Sequence, residues 1–343
     1  MAEPLLSVRD LSVSFRTDSG VVRAVDRVSY DVHEGETLGV VGESGSGKSV
    51  TVMSLLRLVA ETKQMTRSGE AIFQGRDLLG LSQRELRAIR GNDIALVPQD
   101  PMTCLDPVFK VGEQVGEAIQ AHHPAMRGAT LRKKAIELLE LVGIPQPDRR
   151  YMQYPHEYSG GMRQRAMIAM AIANEPKLLI ADEPTTALDV TIQAQILEVL
   201  KTAQEETHAS VILITHDLGL IAEMAHRVVV MYAGHVVETG DVQAIFERPR
   251  HPYTLGLMNS LPQAEANEKW LKPIPGSPPN MAKVPPGCPF HPRCSLSRDR
   301  EVCRSSLPDL EPVDSSGHAS ACHFKDELST DAARLLASAE QIT

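Results

Sequence analysis

The chain has 343 residues, 42% hydrophobic and 23% charged, enough for one large domain with an appendage or for two modest ones. A net charge of −9 at pH 7 argues against a nucleic-acid surface, which needs clustered Lys and Arg to displace phosphate counterions. Apolar runs such as Val211 to Ile214 fall far short of the ~20 residues of a membrane helix, and the opening MAEPLLSVRD lacks the basic start and apolar stretch of a secretory signal. The expectation is a cytoplasmic protein that reaches a membrane only through a partner.

In chain order, residues 5–16 and 23–32 read as short β-type stretches with a turn at Asp18 and Gly20. Glu34-Gly35-Glu36 is a second turn, Thr37 to Val41 a buried strand, and a Gly-rich loop then leads into a helix over Lys48 to Leu58. Residues 102–172 read as mostly helical, with Leu131 to Leu141 the clearest amphipathic segment. Strands return at Leu178 to Ala181, Val211 to Ile214 and Val228 to Met231, separated by helical patterns at 191–206 and 217–225. Such alternation predicts an α/β fold whose parallel sheet is covered on both faces, with the helical block as an inserted lobe. Composition changes near residue 261, and eight prolines within 272–292 forbid regular helix or central strand there. From about Lys325 the chain becomes a polar tail, either a short helix or frayed.

Gly42-Glu43-Ser44-Gly45-Ser46-Gly47-Lys48-Ser49 fits the phosphate-binding loop pattern and stands in the required strand-to-helix context. Glycines let the backbone curl so that its N–H groups face phosphate oxygens, and the following helix adds its positive end. Lys48 supplies charge for the β- and γ-phosphates, and the Ser49 hydroxyl is placed for Mg²⁺. Farther on, the apolar strand Leu178-Leu179-Ile180-Ala181 ends in Asp182-Glu183. Asp182 is expected to bind Mg²⁺ through water. Side-chain alternation along an extended chain turns Glu183 elsewhere and frees it to polarise the attacking water.

Ser159-Gly160-Gly161-Met162-Arg163-Gln164 lies 23 residues before Asp182. With the loop, the carboxylates, Gln99 and His216, it resembles the ABC ATPase family over about residues 5–260. The resemblance implies a P-loop, RecA-like α/β ABC nucleotide-binding domain, with its core at 1–100 and 175–260 and a helical subdomain at about 101–174. It implies nucleotide contacts from Gly42 through Val50, Phe15 stacked on adenine, and Gln99 on the metal at the joint to the helical lobe. Catalytic roles then fall to Lys48, Gln99, Glu183 and His216, the last holding the γ-phosphate and the attacking water. Ser159, Gly160, Gly161 and Met162 would meet the ATP of an opposing subunit, with Asp189 across the same interface. Tyr158 stands where the family usually has Leu, and Met162 where it usually has Gln.

The stretches Gln99-Asp100-Pro101-Met102-Thr103-Cys104-Leu105-Asp106-Pro107, His251-Pro252-Tyr253-Thr254 and Pro184-Thr185-Thr186-Ala187-Leu188-Asp189-Val190-Thr191 narrow the match. They resemble the ATPase subunits of bacterial dipeptide and oligopeptide importers, in particular the D-type subunit of the dipeptide system, to about residue 324. That implies an ATPase powering peptide import at the cytoplasmic face of the inner membrane. The implied partners are a second, homologous ATPase in a heterodimer, two permeases and an extracytoplasmic peptide-binding protein. Importers of nickel, glutathione, haem precursor or antimicrobial peptide use similar ATPases, and a non-transport ABC ATPase is the more distant alternative.

Cys288, Cys294, Cys303 and Cys322 are spaced C-x₅-C-x₈-C-x₁₈-C within a small C-terminal lobe at 261–325, ahead of a tail at 326–343. In a reducing compartment a metal site is the better reading than disulfides. The pattern has no zinc-ribbon knuckle and no ferredoxin spacing, so it allows four thiolates on some metal or free structural thiols. The importer resemblance favours a [4Fe–4S] cluster over Zn²⁺, with His291, His318 and His323 close enough to replace a ligand.

Overall fold

In the computed structural model, residues 3–100, 104–186, 189–260, 273–297 and 300–328 are described. Within them the strands are Leu6–Thr17 (β1), Gly20–Val32 (β2), Thr37–Val41 (β3), Met65–Phe73 (β4), Arg76–Asp77 (β5), Ile94–Val97 (β6), Leu178–Asp182 (β7), Ser210–Thr215 (β8), Arg227–Tyr232 (β9), His235–Asp241 (β10), Glu311–Pro312 (β11) and Ala319–Ser320 (β12). The chain divides into two compact units, one holding residues 32–36 and 80–214, the other 4–31, 37–79 and everything from 215 onward.

In the first unit β6, β7 and β8 run parallel in the order β8-β7-β6. Every residue of β7 and β8 is buried, as continuous apolar runs in a sheet covered on both faces require. The register sets Val97 beside Ala181 and Asp182 beside Ile214. The expected helical block comprises Val111–Gln120, Gly128–Leu141, Pro147–Tyr151 and Gly160–Ile172. Its helices pack through Val115, Ile119, Ala135, Leu139 and Ile168, all buried. Gly112 gives way to the Tyr151 ring, since a Cβ there would stand 2.1 Å from Cδ2.

In the second unit β2-β1-β4-β5 form a four-stranded sheet. Separately, β3 pairs parallel with β9, Val41 beside Val230. The sheet is not parallel throughout. Ala233 and Gly234, both left-handed at φ 48° and 84°, turn the chain back so that β10 runs antiparallel to β9. Farther along the chain, β12 adds to β10 and β11 to β12.

The Pro-rich stretch has no helix or strand among its described residues beyond a 3₁₀ turn at His291–Arg293. Segments 101–103, 187–188, 261–272 and 329–343 lie outside the described residues. These include Pro101-Met102-Thr103, Ala187-Leu188 and most of the expected tail.

Candidate functional site

The phosphate loop is shaped by its neighbours as well as by its glycines. Because Val41 pairs with Val230, the next residue, Gly42, faces the carbonyl of Met231, and a Cβ there would stand 2.2 Å from it. Gly47 is equally confined, with Ala24 O at 2.3 Å from the place a Cβ would take. Gly42, Gly45 and Gly47 have φ of 154°, 78° and 102°, which L side chains adopt only with strain. The helix Lys48–Leu55 follows, with no side chain capping its first turn. Lys48 is buried and donates to Gly42 O at 2.7 Å and Glu43 O at 3.1 Å. The Ser46 hydroxyl is buried without a hydrogen-bond partner among the described residues. A helix start with no side-chain cap, a buried ammonium and an unsatisfied hydroxyl together fit a bound polyphosphate.

Phe15 and His216 belong to the same unit as this loop. Phe15 is half-buried on β1 opposite Met65, and His216 is exposed just past β8. Asp217 beside it caps the helix Leu218–Met224 by accepting from Gly219 and Leu220 N–H.

The other unit holds Gln99, Ser159 to Met162, Asp182, Glu183 and Asp189. The parallel register that sets Val97 beside Ala181 carries Gln99 alongside Glu183, and Gln99 Nε2 donates to Glu183 Oε2 at 2.9 Å. Thr186 Oγ1 donates to the same oxygen at 2.9 Å. Asp182 is buried at the end of β7. Glu183 leaves the strand with φ 45°, its N–H on Ile214 O at 2.9 Å. Alternation along an extended chain therefore does not orient Glu183; its two side-chain donors and the left-handed backbone do. Thr186 escaped the sequence reading as a site residue, although it stands in a stretch already singled out.

Ser159 caps the helix Gly160–Ile172 by accepting from Met162 N–H. Asp189 caps the helix Val190–Thr207 by accepting from Ile192 N–H. The two caps belong to touching helices, since a Cβ on Gly161 would stand 2.8 Å from Ile192 Cγ2. Ser159, Gly160 and Asp189 are exposed. Tyr158, the departure from the usual signature, is a core residue whose hydroxyl donates to Arg150 O at 3.0 Å.

Residues 25–186 match the family model "ABC transporter" and residues 237–303 the model "Oligopeptide/dipeptide transporter, C-terminal region". The dipeptide transport ATP-binding protein DppD of Bacillus subtilis is 50% identical over 325 residues, covering 95% of this chain and 96% of that protein. The chain belongs to the ABC transporter family. The oligopeptide transport ATP-binding protein OppD of Mycobacterium tuberculosis is 51% identical over 328 residues, and there the ABC chain spans 53% of the relative's length. A solved dimeric post-hydrolysis structure of the ATP-binding cassette MJ0796, bound to ADP and Pi, matches with TM-score 0.61 at 29% identity, covering 69% of this chain and 98% of that one. The fold is thus the α/β P-loop cassette of ABC ATPases.

One expectation for this ABC ATPase is corrected. Cys288, Cys294, Cys303 and Cys322 are free thiols, and among the described residues no three or more His, Cys, Asp or Glu are disposed to hold a metal ion. The iron–sulfur cluster and its zinc alternative are therefore not supported. Burial pushes the Cys288 thiol up to about 11 and Cys322 up to about 12, and raises Cys294 and Cys303 as well. The histidines are engaged elsewhere: His291 donates to Cys288 O, His323 to Ser306 O and His318 to Glu238 Oε1. The lobe is joined to the ATPase through β12, through His318 and Glu238, and through Phe290 set against Tyr232 and Tyr253 at 5.2 and 5.4 Å.

Proposed function

We propose that this ABC ATPase powers the import of di- or oligopeptides, and the observation that carries the reading is its C-terminal third. Residues 237–303 within it match the oligopeptide/dipeptide transporter C-terminal region, and β12 pairs with β10 within the same unit as the phosphate loop. The named relatives act in dipeptide and oligopeptide transport, which favours peptide over nickel, glutathione, haem-precursor or antimicrobial-peptide systems.

In this reading the backbone from Gly42 to Val50 cradles the ATP phosphates, Lys48 neutralises the β- and γ-phosphates, and Phe15 stacks on adenine. Ser49, Gln99 and Asp182 would hold Mg²⁺, which when bound offsets phosphate charge. Glu183 accepts the proton of the attacking water, kept in line by Gln99, Thr186 and His216. Ser159, Gly160, Gly161, Met162 and Asp189 face the nucleotide of a second, homologous ATPase in a head-to-tail heterodimer; the exposed helix start at Ser159 and Gly160 suits an anion offered by a partner. No helix among the described residues is long and apolar enough to cross a membrane, which fits attachment through two permeases at the cytoplasmic face of the inner membrane, supplied by an extracytoplasmic binding protein. The domain bounds follow: 1–260 for the ATPase, 261–325 for the lobe and 326–343 for the tail.

The test is peptide uptake by vesicles containing the permeases, both ATPases and the binding protein. Uptake should require ATP and stop when this subunit is omitted; uptake undiminished by its omission would refute the role.

A further inference from the structure

Glu43, the second residue of the phosphate loop, is held at every polar group it has. Its carbonyl accepts from Ser46 N–H at 3.2 Å and Lys48 Nζ at 3.1 Å. Its N–H donates to the Tyr253 hydroxyl at 2.7 Å. Its carboxylate accepts both terminal nitrogens of Arg293, at 2.6 and 2.9 Å. Arg293 comes from the C-terminal lobe, 250 residues on, and its side chain is only 6% exposed. It is fixed before it meets Glu43: Nε donates to Pro275 O at 2.9 Å, and the guanidinium lies 5.8 Å from the Tyr232 ring and 5.9 Å from Phe290.

A carboxylate in a loop made for polyphosphate repels its own ligand unless it is neutralised. A planar fork that takes both oxygens cancels that charge and fixes the direction of the side chain. Through the Glu43 backbone the same bracket reaches Lys48, whose ammonium leans on the Glu43 carbonyl. Tyr253 belongs to the His-Pro-Tyr run for which the catalytic reading had no use.

We propose that Arg293 and Tyr253 are positioning residues for nucleotide: Arg293 neutralises and anchors Glu43, Tyr253 holds its amide, and the C-terminal lobe thereby sets the affinity of the phosphate loop. The inference rests on Gly42–Ser49 being the ATP loop.

The test is MgATP binding by titration calorimetry on the full chain, with a nucleotide-free melting curve for each variant. Arg293→Ala should weaken binding roughly tenfold, the size expected for one uncompensated charge close to phosphate. Adding Glu43→Gln to Arg293→Ala should restore most of the loss, because the bare charge has gone; a purely structural arginine would show no such rescue. Arg293→Lys, which keeps the charge, should stay within about threefold, and Tyr253→Phe, which keeps the ring, should weaken binding by a similar factor. His318→Ala, which loosens the lobe at Glu238 away from the loop, should lower the melting temperature and leave MgATP affinity unchanged. Wild-type affinity in folded Arg293→Ala, loss without rescue by Glu43→Gln, or equal loss in His318→Ala would each overturn the proposal. If Arg293→Ala does not fold, the Arg293→Lys and Tyr253→Phe arms decide. A wild-type chain that binds no MgATP, or a Lys48→Ala variant that binds it normally, would overturn the loop reading itself, and is distinguishable from all of these.

Discussion

Glu183 shows what a sequence conveys about a residue and what it leaves to geometry. That a carboxylate follows Asp182 at the end of an apolar strand is plain in the chain; where it points is not, because φ 45° breaks the alternation and Gln99 with Thr186 supplies the direction. Arg293 was wholly illegible, being 250 positions away from the carboxylate it pairs with. His251 belongs to the same buried group, its Nδ1 accepting Tyr253 N–H, and burial lowers its pKa to about 3. An unfolded histidine titrates near 6.5, so protonation favours the unfolded chain. This group's contribution is therefore complete above about pH 6.5 and is lost progressively as pH falls toward 3, roughly 2 kcal/mol of it by pH 5. His251→Asn keeps an acceptor for Tyr253 N–H without the titration. Its melting temperature should fall less than that of the wild type between pH 7.5 and pH 5; equal falls would show that His251 does not titrate on unfolding.

Strands and helices were legible where burial on both faces writes a continuous apolar run. β7 and β8 lie within a residue or two of where the sequence sets them, and the helix after the phosphate loop starts at Lys48 but stops at Leu55, short of Leu58. The antiparallel strand β10 was missed because its turn, Ala233-Gly234, lacks the Asn-Gly or Asp-Gly signal, and β12 because two residues carry no period. Those two strands weld the lobe to the ATPase, and Glu238 is their centre. Fully buried, it accepts from Arg250 N–H at 2.5 Å, His251 N–H at 3.0 Å and the His318 ring at 2.8 Å. Glu238→Ala strands these donors in the interior and should destabilise the chain by about 3 kcal/mol, read from denaturant unfolding. A loss under about 1 kcal/mol would mean the lobe is held mainly by Phe290 and its tyrosine neighbours.

Across the whole chain, the function was legible because phosphate chemistry imposes short, ordered motifs, whereas the cysteine lobe was misread because four thiols at irregular spacing describe no geometry. The thiols are free, one buried and three partly buried, and the lobe's attachment comes from a carboxylate, an arginine and three aromatic rings that no motif announces. The catalytic reading requires a base, and we propose Glu183 for that role, its carboxylate directed by Gln99 and Thr186. The most direct measurement is MgATP binding and steady-state phosphate release side by side for the wild type and Glu183→Gln, with the partner ATPase present. The account predicts binding within about twofold of wild type and turnover reduced at least 100-fold, the scale of a lost general base. Turnover equal to wild type in Glu183→Gln would contradict it.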